Sequence, residues 1–218
     1  MIDLCKNGGI YTLTMNNNEN TICLDWQEQI LEILNELESN FSKGTALIMT
    51  GKGKFFSNGV NTDAMHKLDK ANREKFWQQT LDIHRRVMLL PFPTVAAING
   101  HAFAGGAFHA MCLDYRIMRE DRGWICISEV DANVPIPPPM MEILHAKLPA
   151  ATVRDAILTG KRYTADEAIL AGFIDHKASS ETLLDKAAEL ATTLASKEPE
   201  IFKTLKQTLY AGLAAKLV

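Results

Sequence analysis

An α/β fold is what this sequence predicts, and three observations carry that expectation. Short β-rich apolar runs alternate with helix-period segments through the first half of the chain. The last third carries helical patterns only. No fixed-period repeat and no flexible linker divides the 218 residues, a length that suits a single domain. We therefore read 1–218 as one domain, with a strand-bearing core over about 1–140 and a helical region over about 141–218.

Each element has its own local reason. Gly9 to Met15 alternates apolar and polar positions and is rich in β formers, which predicts a strand. Asn16-Asn-Asn-Glu-Asn20 is a turn. Asp25 is the expected cap of a helix running to Asn40, with Ile30, Leu31, Leu34 and Leu37 at helical spacing. Thr45 to Thr50 reads as a strand, and Arg73 to Leu90 as a helix that stops at Pro91-Phe-Pro93. Strands are expected at Thr94 to Ile98, Tyr115 to Arg119 and Trp124 to Ser128. Pro135-Ile-Pro-Pro-Pro139 is too rigid for a central strand or mid-helix and introduces a helical region from Met140. Further helices are expected at Ala150 to Leu158, Thr164 to Ala171, Glu181 to Ser196 and Pro199 to Leu217.

Composition narrows the function classes. Apolar residues make up 47% of the chain, and the net charge is −3 with no basic stripe, which argues against a nucleic-acid partner. No apolar run reaches the length of a membrane span, and Met-Ile-Asp-Leu-Cys-Lys does not resemble a signal peptide. The C-terminal Lys-Leu-Val is not a peroxisomal tripeptide, so a cytoplasmic location is expected, with a peroxisome as the eukaryotic alternative. Cys5, Cys23, Cys112 and Cys126 lack metal-ligand spacing and read as buried free thiols. The histidines are scattered, so no metal site is expected.

Two stretches carry the chemistry. In Pro93-Thr-Val-Ala-Ala-Ile-Asn-Gly-His-Ala-Phe-Ala-Gly-Gly-Ala-Phe-His-Ala-Met-Cys-Leu-Asp114, a buried strand runs into a small-residue turn and then an apolar helix. Small residues there let another group approach the backbone, and the unpaired N–H groups of the helix start favour an oxygen bearing negative charge. In Leu47-Ile-Met-Thr-Gly-Lys-Gly-Lys-Phe-Phe-Ser-Asn-Gly-Val-Asn61, a strand again leads into a Gly-rich turn and a small-residue loop. Taken singly, each stretch fits an ordinary tight turn.

Together, in this order, they resemble the crotonase superfamily, the enoyl-CoA hydratase/isomerase family. The resemblance rests on Gly51, Gly53, Phe56, Ser57 and Gly59, then on Pro93, Val95, Ala96, Ile98, Gly100, Gly105, Gly106 and Asp114. It covers residues 8 to 175 and continues toward the end. It implies a spiral of ββα units with C-terminal helices used in trimer packing, hence a homotrimer or hexamer. It also implies an acyl-CoA thioester substrate, with coenzyme A as part of the substrate rather than a separate cofactor.

An enolate formed beside a thioester carbonyl needs two donors on one oxygen and a base next to the carbon. The resemblance puts the donors on the backbone N–H groups of Val60 and Gly105. It places the loop Phe56, Ser57, Asn58, Gly59 and Asn61 along the coenzyme. Phosphate contacts are left open among Lys52, Lys54, Lys67, Lys203 and Lys206. For the base, Glu129 follows an apolar strand and precedes Val130, Ala132 and Val134, and the family has a catalytic acid after this strand. Asp131 is a rival, because alternation would put it on the same face. By residue type alone Glu129 would be a solvated strand-end glutamate.

Hydratases of the family carry a second glutamate early in the helix after the small-residue turn; here that position is Phe108. Adding water calls for two acid/base groups, whereas moving a double bond can use one carboxylate twice. One glutamate plus Phe108 fits an isomerase, and the Ser-Glu-Val-Asp run with Asp121-Arg-Gly123 is similar to the plant-type Δ3-Δ2-enoyl-CoA isomerases. The expected activity is therefore a shift of a 3-enoyl-CoA to its trans-2 isomer. Alternatives are hydration, thioester hydrolysis or dehalogenation on the same fold, or a non-catalytic binding or assembly protein. His109 reads as a core or interface histidine.

Overall fold

The computed structural model describes residues 2–217. Met1 lies outside them, as does Val218, on which the reading of the C-terminal tripeptide turns. The chain opens with a hairpin, β1 (Ile2–Asn7) and β2 (Ile10–Met15), and then α1 (Leu24–Ser39). Three further turns repeat that scheme: β3 (Ala46–Gly51), β4 (Phe55–Ser57), α2 (Thr62–Lys67) and α3 (Lys70–Leu89); β5 (Thr94–Ile98), β6 (His101–Phe103) and α4 (Gly105–Cys112); β7 (Tyr115–Arg119), β8 (Ile125–Cys126) and α5 (Pro138–Lys147). α6 (Ala150–Thr159), α7 (Ala165–Ala171), β9 (His176–Ala178), α8 (Leu183–Ala195) and α9 (Pro199–Ala214) complete it.

The first strands of successive turns collect in a six-stranded sheet ordered β1-β2-β3-β5-β7-β9, and the second strands in a three-stranded sheet ordered β4-β6-β8. Apart from the antiparallel β1–β2 hairpin, all these pairs are parallel. This is the spiral of ββα turns with a helical C-terminal region.

The continuous apolar runs of β3 and β5 follow from burial on both faces, as parallel strands require. Leu47, Met49, Ala96 and Ile98 point into the main core, which also holds Trp26, Phe76, Phe108 and Phe173. Ala46, Ile48, Val95 and Ala97 face the other way and are covered by α8 through Leu183, Ala187, Ala191 and Ala195. An alanine stripe at four-residue spacing lets that helix lie close to the sheet.

The structure corrects several local expectations. Cys23, not Asp25, occupies the N-cap of α1, without a side-chain cap bond, and Asp25 sits in the first turn, where its charge suits the helix dipole. α3 begins earlier than Arg73, because Asp69 caps it by accepting from the Asn72 N–H at 2.8 Å. The strand expected over Trp124 to Ser128 is only Ile125–Cys126. Of the four cysteines, Cys112 and Cys126 are buried, Cys23 is partly covered and Cys5 is exposed.

Lys206 is not available to a phosphate. Its Nζ donates to Asp114 Oδ2 at 2.7 Å and to the Phe92 carbonyl at 3.0 Å. The same carboxylate oxygen accepts from the Thr94 N–H at 2.9 Å and the Thr94 hydroxyl at 3.0 Å. This buried network fastens α9 to the start of β5 and the end of α4.

Candidate active site

The two motif stretches meet. β4 and β6 pair in parallel, with Phe55 opposite His101 and Ser57 opposite Ala102. The loop leaving β4 thereby lies against the turn leaving β6. Gly59 has φ of +82°, and a Cβ there would stand 3.0 Å from the Gly105 nitrogen and 3.1 Å from the Ala104 methyl. From the other side, a Cβ on Gly105 would lie 3.5 Å from the Gly59 Cα and 3.6 Å from Val60 Cγ2. Gly106 is tighter still: a Cβ would run into the Ser57 carbonyl. At Gly59 and Gly106 the close approach of two stretches of backbone requires glycine, whereas a Cβ on Gly105 would make only ordinary contacts.

Val60 is held by a one-residue parallel bridge to Ile22. Ile22 N–H donates to the Gly59 carbonyl at 2.8 Å, and Asn61 N–H to the Ile22 carbonyl at 2.9 Å. In that pattern the Val60 N–H points away from Ile22. Gly105 is the first residue of α4, whose first N–H groups have no intrahelical acceptor. Among the described residues, neither the Val60 nor the Gly105 N–H has a hydrogen-bond acceptor.

Ala104, between β6 and α4, has φ of +47° and ψ of −124°. The other non-glycine residues with positive φ among those described are Asn18, Asn20 and Asn133, a type that tolerates it. An alanine there costs about 1–3 kcal/mol and persists only when its surroundings over-determine it. Its N–H donates to the Cys126 carbonyl at 3.0 Å, and its carbonyl accepts from Ala107 at 2.9 Å and Phe108 at 3.1 Å.

Glu129 lies just past β8. Its Oε2 is buried with no hydrogen-bond partner, and burial pushes its carboxyl up to about 7. The chain does not continue extended beyond it. Ala132 N–H donates to the Ser128 carbonyl and Val134 N–H to the Glu129 carbonyl, each at 3.0 Å, with Asn133 at φ of +56°. Asp131 is consequently in a turn, not two residues along a strand, so the shared face expected from alternation does not arise. Its exposed carboxylate abuts Gly160, at the C-terminus of α6.

The loop residues divide. Phe56 is a fully buried core side chain, and Ser57 is buried with its hydroxyl donating to the Asn20 carbonyl at 2.7 Å. Asn58 Nδ2 donates to Glu19 at 2.8 Å. Asn61 caps α2, its Oδ1 accepting from the Ala64 N–H at 2.9 Å. Phe108 is fully buried on α4. Beside Asn61 opens a cleft of about 230 Å³ walled by Leu24, Ala64, Met65, Leu68 and Phe76. A larger hollow of about 480 Å³, between the β1–β2 hairpin and α1, holds none of the residues expected from the sequence.

Sequence reasoning missed the supports of this geometry. Asn20 reads as one more turn residue, yet its buried amide donates to the Lys52 and Phe55 carbonyls at 3.2 and 2.8 Å and holds the Gly-rich loop in shape. Ile22 and the cleft residues Met65 and Leu68 left no signal beyond being apolar. The positive φ at Ala104 could not be read from alanine.

Comparison with known proteins identifies the family. The model of the family Enoyl-CoA hydratase/isomerase matches residues 5–218. Enoyl-CoA delta isomerase 3 of Arabidopsis thaliana is 33% identical over 222 residues, covering 98% of this chain and 93% of that protein. A putative enoyl-CoA hydratase of Thermus thermophilus is 29% identical over 215 residues, covering 94% of this chain and 82% of that protein. In structure, a probable enoyl-CoA hydratase of Mycobacterium tuberculosis superposes with a TM-score of 0.92 at 24% identity, over 99% of this chain and 91% of that one. With the family model spanning nearly its whole length, the chain belongs to the enoyl-CoA hydratase/isomerase family of the crotonase superfamily.

Proposed function

We propose that the protein is an enoyl-CoA isomerase that shifts the double bond of a 3-enoyl-CoA to the trans-2 position. The observation that carries this reading is the state of Glu129: a half-buried side chain whose Oε2 is buried and unpartnered, its carboxyl pushed by burial up to about 7. Such a group both takes and returns a proton near neutral pH. The Glu129 carboxylate removes a proton from C2 of the substrate, and the electron pair moves into a dienolate. The thioester oxygen, now negative, accepts hydrogen bonds from the Val60 and Gly105 N–H groups. The same carboxyl then delivers its proton to C4, leaving the double bond between C2 and C3 in conjugation with the carbonyl. Phe108 is an apolar wall where a second acid would serve water addition. The cleft beside Asn61 takes the substrate's apolar part. The name of the Arabidopsis relative supports the isomerase reading.

Hydration is the second reading, favoured by the name of the Thermus relative. One assay separates them. Purified protein is given a 3-enoyl-CoA and, separately, a trans-2-enoyl-CoA, and the products are resolved by chromatography. Isomerisation of the first without hydration of the second is expected. Formation of 3-hydroxyacyl-CoA from the second overturns the assignment.

The proposal extends to assembly as a trimer or a dimer of trimers. α9 leaves Ile201, Leu205 and Leu209 at 60, 65 and 72% exposure on one helical stripe, more apolar surface than one isolated helix position explains. A monomer by light scattering at micromolar concentration overturns the assembly.

A further inference from the structure

α1, α3 and α4 meet around polar side chains that take no part in the proposed reaction. Trp26 and Gln27 come from α1, Thr80 and His84 from α3, and His109 from α4; all five are buried. The His109 ring lies 5.3 Å from Trp26, edge to face, and 5.6 Å from His84, centroid to centroid. Gln27 donates its amide hydrogens to the Phe76 carbonyl at 3.0 Å and the Thr80 hydroxyl at 2.8 Å. Thr80 in turn donates to the Phe76 carbonyl at 2.9 Å. That leaves Trp26 Nε1, Gln27 Oε1, His84 Nδ1 and both ring nitrogens of His109 buried with no hydrogen-bond partner.

A buried polar group left unpaired carries its full desolvation penalty, and so many in one seam would rival the stability of a whole domain. A polar occupant of the seam would relieve that penalty. Its chemistry follows from the groups that face it. The Trp26 indole only donates and the Gln27 oxygen only accepts; a neutral imidazole does one of each. Burial keeps both histidines neutral at ordinary pH, His84 pushed down to about 3, with His109 adding to the effect, and His109 to about 4. An anion would need donors alone. A metal ion would need acceptors, and no group of three or more metal-ligating side chains occurs among the described residues. Water, which donates and accepts, suits a mixed set, and such sites in proteins are hydrated.

We propose that α1, α3 and α4 enclose an internal water site in which ordered water hydrogen-bonds Trp26, Gln27, His84 and His109. It forms the polar joint of α4, whose side chains are otherwise apolar, with the two helices packed on it. It stands independently of the reaction assigned above.

Water–protein cross-relaxation on the ¹⁵N-labelled protein tests it, with the Trp26 indole signal assigned by its loss in Trp26→Phe. The Trp26 indole N–H and a His109 ring N–H are expected to show cross-peaks to long-lived water. Their absence overturns the proposal. A second arm measures urea midpoints of His84→Leu, His109→Phe and the double variant. Each single change strands the remaining groups, so the double variant is expected to lose less than the sum of the two. Additive losses, or no loss in either single variant, overturn it as well.

Discussion

The turn at the head of α4 and the turn after Glu129 are both breaks in regular structure, and they are held in opposite ways. Ala104 to Gly106 is fixed by backbone: Gly59 and Ser57 lie within contact distance, and Cys126, Ala107 and Phe108 use the Ala104 N–H and carbonyl. The region from Glu129 to Val134 is exposed apart from Glu129 itself, and its internal hydrogen bonds are local. The first region has no functional side chain in the proposed site; the second has one and little else. Substitutions in the first should therefore act through the backbone, by its shape and its N–H donors, and in the second through a single carboxyl.

Glu129→Gln is the largest expected break. It keeps the shape and removes the base, so turnover of a 3-enoyl-CoA should fall by about 10⁴-fold or more while acyl-CoA binding persists. In the wild type, kcat/KM should rise as pH passes through about 7, where the carboxyl loses its proton. The sign for stability is the reverse. A carboxyl raised from 4.5 to about 7 by folding binds protons more readily in the folded state, so stability declines as pH rises across that window. The Glu129→Gln variant should lose that part of the decline, as pH-dependent urea titrations would reveal. Unchanged turnover would move the base elsewhere.

Gly105→Pro removes one N–H; because Ala104 before it has φ of +47° and ψ of −124°, away from the extended conformation a residue preceding proline prefers, circular dichroism first checks that the variant folds. Its expected cost is about 10²–10³ in kcat, that of one oxyanion donor. Equal rates for variant and wild type would remove Gly105 from the site. Gly106→Ala sharpens the comparison from the shape side. Its Cβ meets the Ser57 backbone, so about 1–3 kcal/mol should be lost in denaturant unfolding. The smallest effect belongs to the other turn: Asn133→Gly, at φ of +56°, should change stability by less than about 0.5 kcal/mol and leave turnover intact. A large loss there would mean that the Glu129 turn is as constrained as the head of α4.

The two regions also differ in how far they could be read from sequence. Backbone-built features show as small residues, so Gly59, Gly105 and Gly106 marked where two stretches of backbone come close. β3 and β5 were legible because burial on both faces makes them continuous apolar runs. β4, β6 and β9 were not: at three residues each they are too short for a period, and only pairing with distant strands makes them strands. The Asp131 expectation failed for a related reason. Alternation is informative only while the chain stays extended, and Ser128 and Glu129 accept hydrogen bonds that curl it. Lys206 looked like any surface lysine; its partner Asp114 is 92 residues away in sequence. His109 was read as a core or interface histidine because catalytic roles are rare, but its facing group, His84, lies on another helix and left no signal.

β9 has a consequence for how this chain can be divided. Composition splits it near residue 140 into a part with strands and a part with helices. Yet His176–Ala178 closes the free edge of the large sheet against β7, and Arg116 on β7 is paired with Asp175 at 2.9 Å. α8 then covers that sheet's outer face. A fragment cut at the compositional boundary would present an open strand edge, an unpaired buried guanidinium and a bare apolar sheet face together. The C-terminal third thus edges and covers the same sheet that the first part builds, and a cut near residue 140 would uncover both.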